Sequence, residues 1–469
     1  MNRSNTKYSL LLVICSMLLG SCTRTDLPQL AENDVPEEFQ GPVIEDAQVW
    51  PDSDWWNAFN DEELSNLIDI VQINNLDLDN NRRNLASAQI ALREAGFNLL
   101  PIPVVDIGIG ASYNETRIDG LETSGSPNQP FELGASFTYN DILSKPATYN
   151  RAVADYDSRV AQVADVALNT LGTAASTYFQ LLLTRDKIEA SMQNVENAEA
   201  IYRIAQARVD AGVAVPIEAL QQQIAMERER NNLRSFIQND LSTRASLALL
   251  SGLTVQGFDV DGQTLQEIQV PSVQPGLPSE LLNRRPDLVQ AEANLRGARA
   301  SVDIVRTDLF PQISLTGGIN ASSTSLTDLV SDPDTFLNIN ANLVQVLLDN
   351  GQRFRNIDQA TLTMENSLNN YRRAVIGAFN EVEVLLSNIQ LLEAQGVVAF
   401  QNLGAAEESF RIAQVRYEEG VSDFQTVLTA QNTLFSTRNS YLDNKLLQLN
   451  AMVGFFQALG GGWVAESAQ

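Results

Sequence analysis

The sequence predicts a mainly α-helical fold that also supplies strands to a membrane β-barrel, each chain being an internal duplication. Three observations predict it. A segment recurs at an offset of about 208 residues, four stretches alternate strictly between apolar and polar residues, and proline-free heptad runs exceed any ordinary globular helix.

The duplication rests on aligned segments. Residues 202–223, YRIAQARVDAGVAVPIEALQQQ, match residues 410–431, FRIAQVRYEEGVSDFQTVLTAQ, at nine of 22 positions, including Arg208/Arg416, Gly212/Gly420 and Leu220/Leu428. Upstream, Leu99-Leu100-Pro101 matches Leu309-Phe310-Pro311. Each half therefore reads helix, strand, strand, long helix, tip, helix.

The strands come as two pairs, near 102–113 with 131–140 and near 312–321 with 335–346. Val105, Ile107, Ile109, Ala111 and Tyr113 oppose Asp106, Gly108, Gly110 and Ser112, and Leu337, Ile339, Ala341 and Leu343 oppose Asn338, Asn340 and Asn342. That pattern suits a strand with lipid on one side and water on the other. A soluble half-buried sheet has the same period. If the strands do lie in lipid, four cannot close, because an open edge there leaves backbone groups unpaired. Two copies supply eight strands, filled by side chains, and three supply twelve, which leave a lumen.

The helices follow from a 4,3 spacing of Ile357, Thr361, Met364, Leu368, Tyr371, Val375, Ala378, Val382, Leu385, Ile389 and Leu392. Residues 352–419 and 147–211 contain no proline, so each helix reaches about 100 Å at 1.5 Å per residue. Ala211-Gly212-Val213 and Glu419-Gly420-Val421 make the tips, tip 211–216 in the first half and 419–423 in the second, where glycine suits a left-handed C′ position. The coils are antiparallel hairpins. The domain order is an export signal over 1–21, an extended arm over 22–60, a first repeat over 61–250, a Gly- and Pro-rich connector over 251–280, a second repeat over 281–463 and a tail over 464–469.

The 469 residues carry a net charge of -27 and no histidine. This excludes a basic nucleic-acid footprint, histidine acid/base catalysis and His-ligated metals. No phosphate loop or nucleophile–histidine pair occurs, and Asp61-Glu62-Glu63 reads as a helix start rather than a catalytic cluster. No enzyme is expected. Arg3 and Lys7 precede a short apolar run, Leu10–Leu19, and then Leu19-Gly20-Ser21-Cys22, which resembles a lipobox with Cys22 as the lipidated first residue. Apart from that lipid no cofactor is expected. Losing Arg3 and Lys7 takes the charge from -27 to -29, which suggests a cation-favouring lumen or simply an acidic surface. No run of 18 consecutive apolar residues is present, so no spanning helix is expected.

Short stretches also carry a family resemblance: Trp55-Trp56 with Phe59, Arg284-Arg285-Pro286-Asp287-Leu288, Leu309-Phe310-Pro311, Arg416-Tyr417 with Gly420 and Val421, Val427-Leu428 with Ala430-Gln431, and Ala458-Leu459-Gly460-Gly461-Gly462-Trp463. Together, in order, they make the mature chain resemble the TolC-like outer-membrane factors, especially the lipidated branch serving resistance-nodulation-division efflux pumps. The resemblance implies a homotrimer with a twelve-stranded barrel continued by a twelve-helix coiled-coil tunnel. It also implies docking to a periplasmic membrane-fusion adaptor and an inner-membrane pump, and passive conduction of drugs or other toxic compounds. Gly212, Val213, Gly420 and Val421 resemble the adaptor-contacting tips, and glycine termination of a helix explains the same residues. The family's acidic aperture positions fall on Thr426 and Thr429. A charged constriction then rests on Glu218 with Asp423, beside Gln221, and the tethering tyrosine of the family corresponds to Tyr417, with Glu218 as acceptor for its hydroxyl. Solvated tip residues with ordinary capping roles are the bland alternative. Rival uses are an exit duct for type I protein secretion or metal-ion efflux, the latter unsupported by six methionines and no histidine. A non-conducting periplasmic coiled-coil lipoprotein is the rival from another class.

Overall fold

The computed structural model describes residues 35, 36, 39, 48–109, 116–118, 121–123, 131–262 and 264–463. The export signal, Cys22, Ala111, Tyr113 and the tail lie outside the described residues. In chain order the elements are β1 (Gln48–Val49), a 3-10 turn (Trp55–Phe59), α1 (Glu62–Asn74), α2 (Leu76–Phe97), β2 (Ile102–Ile109), β3 (Thr116–Ile118), β4 (Leu121–Thr123), β5 (Phe131–Tyr139), α3 (Lys145–Asp210) and α4 (Pro216–Leu250). There follow β6 (Val273–Gln274), α5 (Pro278–Arg284), α6 (Pro286–Thr307), β7 (Gln312–Ser323), α7 (Leu326–Ser331), β8 (Asp334–Val344), α8 (Gln352–Glu418) and α9 (Phe424–Ala458). Two compact units share these elements. One holds residues 85–159 and 291–371, the other residues 31–84, 160–290 and 372–469.

In the first unit a four-stranded sheet has the order β2-β5-β7-β8, antiparallel throughout. Its register is continuous, so Val105, Ala135, Ile319 and Leu337 form one row, and Val104, Ser136, Gly318 and Asn338 the next. Because side chains alternate along each strand, one face collects Val105, Ile107, Leu133, Ile319, Leu337, Ile339 and Leu343. All of these are 44–77% exposed. A half-buried soluble sheet covers its apolar face with protein, and this one does not. The lipid-facing reading accounts for it. On that face the Phe137 ring lies over Gly317, where a Cβ would come within 2.6 Å of a ring carbon, so glycine is required by close approach. Beside the sheet, Leu295 and Val302 of α6 pack on Met364 of α8, with Ala360, Leu368 and Tyr371 around them. Arg296 bonds Asp157 at 2.9 Å across α6 and α3.

The second unit has an aromatic centre. Trp55 stacks on Phe456 at 5.3 Å, Phe59 meets Phe456 at 5.8 Å and Phe179 at 5.1 Å, so the N-terminal turn is pinned to α3 and α9. The connector is irregular but not loose: Val260, Leu265 and Ile268 are at most 5% exposed. Arg185 of α3 donates to the Val260 carbonyl at 2.8 Å and to Gly262 and Asp259, while the Leu265 amide donates to Asp186 at 2.9 Å. Connector strand β6 also pairs in parallel with β1. Arg285, from the Arg-Arg-Pro-Asp-Leu stretch, bonds Asp287, Glu381 and the Ala458 carbonyl, and so joins α6, α8 and α9.

Every one of the heptad positions from Ile357 to Leu392 is buried or half-buried on α8. The same 4,3 spacing continues through Gly396, Ala399, Leu403, Ala406, Phe410 and Ala413 to Tyr417, all likewise covered. The lack of a continuous apolar run does not make the mean hydropathy of α8 low. An 18-residue window of α8 averages a hydropathy of 1.3, so by length and composition this helix could cross a membrane. Its apolar residues are split between the packed stripe and a second one, Val384, Leu391 and Val398, which is 54–66% exposed. Two stripes on one helix raise the mean hydropathy without any continuous apolar run.

Truncating Phe456, which is 1% exposed, leaves a cavity among Trp55, Phe59 and the helices. Phe456→Ala is expected to cost about 3–5 kcal/mol, read as a lowered denaturation midpoint in detergent.

Candidate functional site at the hairpin tips

The two tips are built by the same backbone device. At the first, Gly212 has φ +74, its amide donates to Val209 at 2.9 Å, and the Val213 amide donates to Arg208 at 3.0 Å. At the second, Gly420 has φ +74, its amide donates to Tyr417 at 3.0 Å, and the Val421 amide donates to Arg416 at 2.8 Å. Both are Schellman closures. Nothing stands within 4 Å of a Cβ placed on either glycine, so the positive φ alone demands glycine. The closures leave Val213 and Val421 outward, 67% and 64% exposed.

The returning helices start differently. Pro216 occupies the first turn of α4, where a missing N–H costs nothing. Asp423 caps α9 by accepting from the Thr426 amide at 2.8 Å and from its hydroxyl at 2.6 Å. These bonds hold the Asp423 carboxyl below the usual carboxylate range. The Thr429 hydroxyl bonds back to the Gln425 carbonyl at 2.8 Å. Asp423, Thr426, Thr429 and Gln221 are all exposed, and Glu218 is half-buried. The structure thus gives Asp423 and Thr426 a capping partnership and does not bring them together with Glu218.

Tyr417 is different. It is 1% exposed and belongs to a core cluster with Ile201, Phe410, Ala413, Phe424 and Val427. Arg208 from the other hairpin lies over its ring at 4.9 Å and donates to its carbonyl at 3.3 Å. Burial pushes the Tyr417 hydroxyl pKa up, the nearby Glu218 charge pushes it further, and Arg208 opposes both. The hydroxyl faces Glu218 without full hydrogen-bond geometry and has no other partner. Glu218 thus lies near the Tyr417 hydroxyl, and the grip on the tyrosine comes from Arg208. Sequence reasoning did not single out Arg208 for this role. The signal was its recurrence as Arg208/Arg416. It also named exposed Gln221, whereas the adjacent Gln222 is fully buried and donates to Ala198 at 3.2 Å and to Gln431 at 3.4 Å across the two hairpins. Buried amides of this kind fix the register of a coiled coil.

An open-edged sheet with a bare apolar face, and coiled hairpins ending in matched glycine tips, define the class of outer-membrane ducts. The chain belongs to the outer membrane efflux protein family, whose model matches residues 67–253 and 277–461. It is 30% identical over 467 residues to the pyoverdine export outer membrane protein OpmQ of Pseudomonas putida, covering 98% of each chain. It is 29% identical over 466 residues to OpmQ of Pseudomonas aeruginosa, again covering 98% of each. Among solved structures, the CmeC outer membrane channel of Campylobacter jejuni superposes with a TM-score of 0.85 at 22% identity, over 95% of this chain and 96% of that one. The protein is an outer-membrane efflux channel, reaching from the outer membrane into the periplasm. Its structural neighbours are trimeric, a barrel continued by a helical tunnel. Members of the family are channels rather than enzymes, and work with an adaptor and an inner-membrane pump.

Gly420→Ala forces an L residue to positive φ and should loosen the tip by about 1–2 kcal/mol, seen as faster amide exchange over residues 416–424. For Asp423, a depressed native pKa means that the cap is whole at neutral pH and is lost as acid protonates it. A spin label at Val421 should gain mobility on acidification, and Asp423→Asn, which caps without titrating, should remove that response.

Proposed function

We propose that three copies of this chain close one twelve-stranded barrel and one helical tunnel, through which small organic solutes leave the periplasm passively and without covalent chemistry. The observation that carries the reading is the four-stranded sheet, whose apolar face is bare and whose β2 and β8 edges have no outer partner among the described residues. In lipid such edges must be paired, and only further copies supply the strands. The second apolar stripe on α8, at Val384, Leu391 and Val398, supports lateral helix neighbours of the same origin. The named cargo of the two OpmQ relatives, pyoverdine, favours an organic solute. Cys22 carries the lipid that holds the arm to the membrane, and palmitate labelling lost in Cys22→Ser tests it. Gly212, Val213, Gly420 and Val421 present the tips to a membrane-fusion adaptor fed by a resistance-nodulation-division pump. The two repeats, 61–250 and 281–463, each contribute one strand pair and one hairpin.

The tips form the periplasmic aperture, where Arg208 holds Tyr417 across the hairpins beside Glu218. Thr426, Thr429 and Gln221 make its neutral rim, with Asp423 at its edge. Releasing the grip opens the channel. Arg208→Gln should raise single-channel conductance in planar bilayers, and Tyr417→Phe combined with Glu218→Ala, which keeps the ring under Arg208, should raise it less. Unchanged conductance in all of these would discard the aperture assignment.

Strands β2, β5, β7 and β8 contain no lysine or arginine, while Asp106 and Glu132 lie on their polar face. The barrel is therefore cation-favouring. In a potassium chloride gradient the reversal potential should have the cation-selective sign and move toward zero in Asp106→Asn/Glu132→Gln. Anion preference in the unsubstituted protein would contradict it.

A further inference from the structure

The sheet-bearing unit carries two uncovered apolar surfaces beside its two open edges. Next to the start of β2, Ile90 and Phe97 of α2 join Leu100, Pro101 and Ile102 around a groove of about 700 Å³. Ile90, Phe97 and Leu100 are 65%, 72% and 69% exposed. Just past the end of β8, Leu347 and Leu348 stand 83% and 92% exposed, followed by Phe354 at 65%. These leucines are outward but not loosely held. Arg353 donates to Asp349 at 2.8 Å and to the Asp308 carbonyl at 3.1 Å, and also reaches the Val346 carbonyl, so the turn bearing them is tied at three points. A side chain that is almost wholly exposed on a braced turn is prepared for a partner.

We infer that Leu347 and Leu348 of one copy seat in the Phe97–Leu100 groove of the next. The inference rests on the trimer proposed above, and adds which surfaces meet. Strand directions decide it. β2 runs away from α2, and β8 runs toward α8, with two antiparallel steps between β5 and β8. When the β8 edge of one copy pairs with the β2 edge of another, the two strands are antiparallel. The last residues of β8 then lie beside the first residues of β2. Leu347–Leu348 and Phe97–Leu100 are consequently carried to the same end of the same seam. The two surfaces differ from each other, so the contact is heterologous and propagates copy to copy until the ring closes. Apolar patches of this kind mark an interaction site, and here the open edges continue directly into them.

The mature chain contains no cysteine beyond Cys22, which makes the contact addressable. Phe97→Cys or Leu100→Cys is combined with Leu347→Cys or Leu348→Cys, giving four double variants, each oxidised or treated with a short bismaleimide in native membranes. Molar mass is measured in parallel by light scattering in detergent. At least one pair is expected to run mostly at three times the chain mass, reducible where the link is a disulfide and not where it is the bismaleimide, while the single variants remain at chain mass in denaturing gels. A trimer by light scattering with no covalent trimer in any pair would overturn this seating, leave trimerisation standing and assign the groove to lipid. A monomer by light scattering for the unsubstituted protein would remove the trimer itself, and this contact with it.

Discussion

Backbone pairing in a medium without water is the constraint on which the rest depends. A strand edge costs little in water, but in lipid each unpaired N–H and C=O costs several kcal/mol. The chain's sheet presents one apolar face without cover and two edges without partners among the described residues. Those facts make self-association a condition of stability for this sheet. They also explain why apolar side chains lie outside on both strands and helices of an isolated copy. The helical stripe at Val384, Leu391 and Val398 is the counterpart of the open strand edges.

Much of this was legible in the sequence. Strand alternation gave the faces because a period of two has only one solution once the register is fixed by neighbours such as Ile319 and Leu337. What alternation could not give was whether the apolar face is covered by the chain's own core, since lipid and protein core select the same residues; the exposure of Val105 and Ile107 shows that it is not. The heptad stripe was legible to Leu392 and in fact runs on to Tyr417, because glycine and alanine at Gly396, Ala399 and Ala406 fill stripe positions without looking apolar enough to be counted.

The tips show the opposite limit. Glycine placement was readable, since a left-handed residue ending a long helix has few alternatives. The neighbour of Tyr417 was not, because the pairing of Arg208 with its ring joins residues 209 apart through hairpin packing. Spacing from Gly420 found Thr426 and Thr429, but distance along the chain says nothing about which side chains turn inward. Gln222 went unnoticed, and Gln431 stood out only within a family stretch, for the same reason: a buried amide and an exposed one read alike until the coil is wound.

Duplication has left the two hairpins of each chain mechanically unequal. The first returning helix begins on a proline whose ring fixes the backbone covalently, whereas the second begins on the Asp423–Thr426 hydrogen bonds, with Phe424 buried against Tyr417. Covalent bracing cannot be withdrawn, and hydrogen bonds can be exchanged with an incoming partner. Of the two arms, the first is thus locked at its start by a ring, and only the second has a start that acid can loosen.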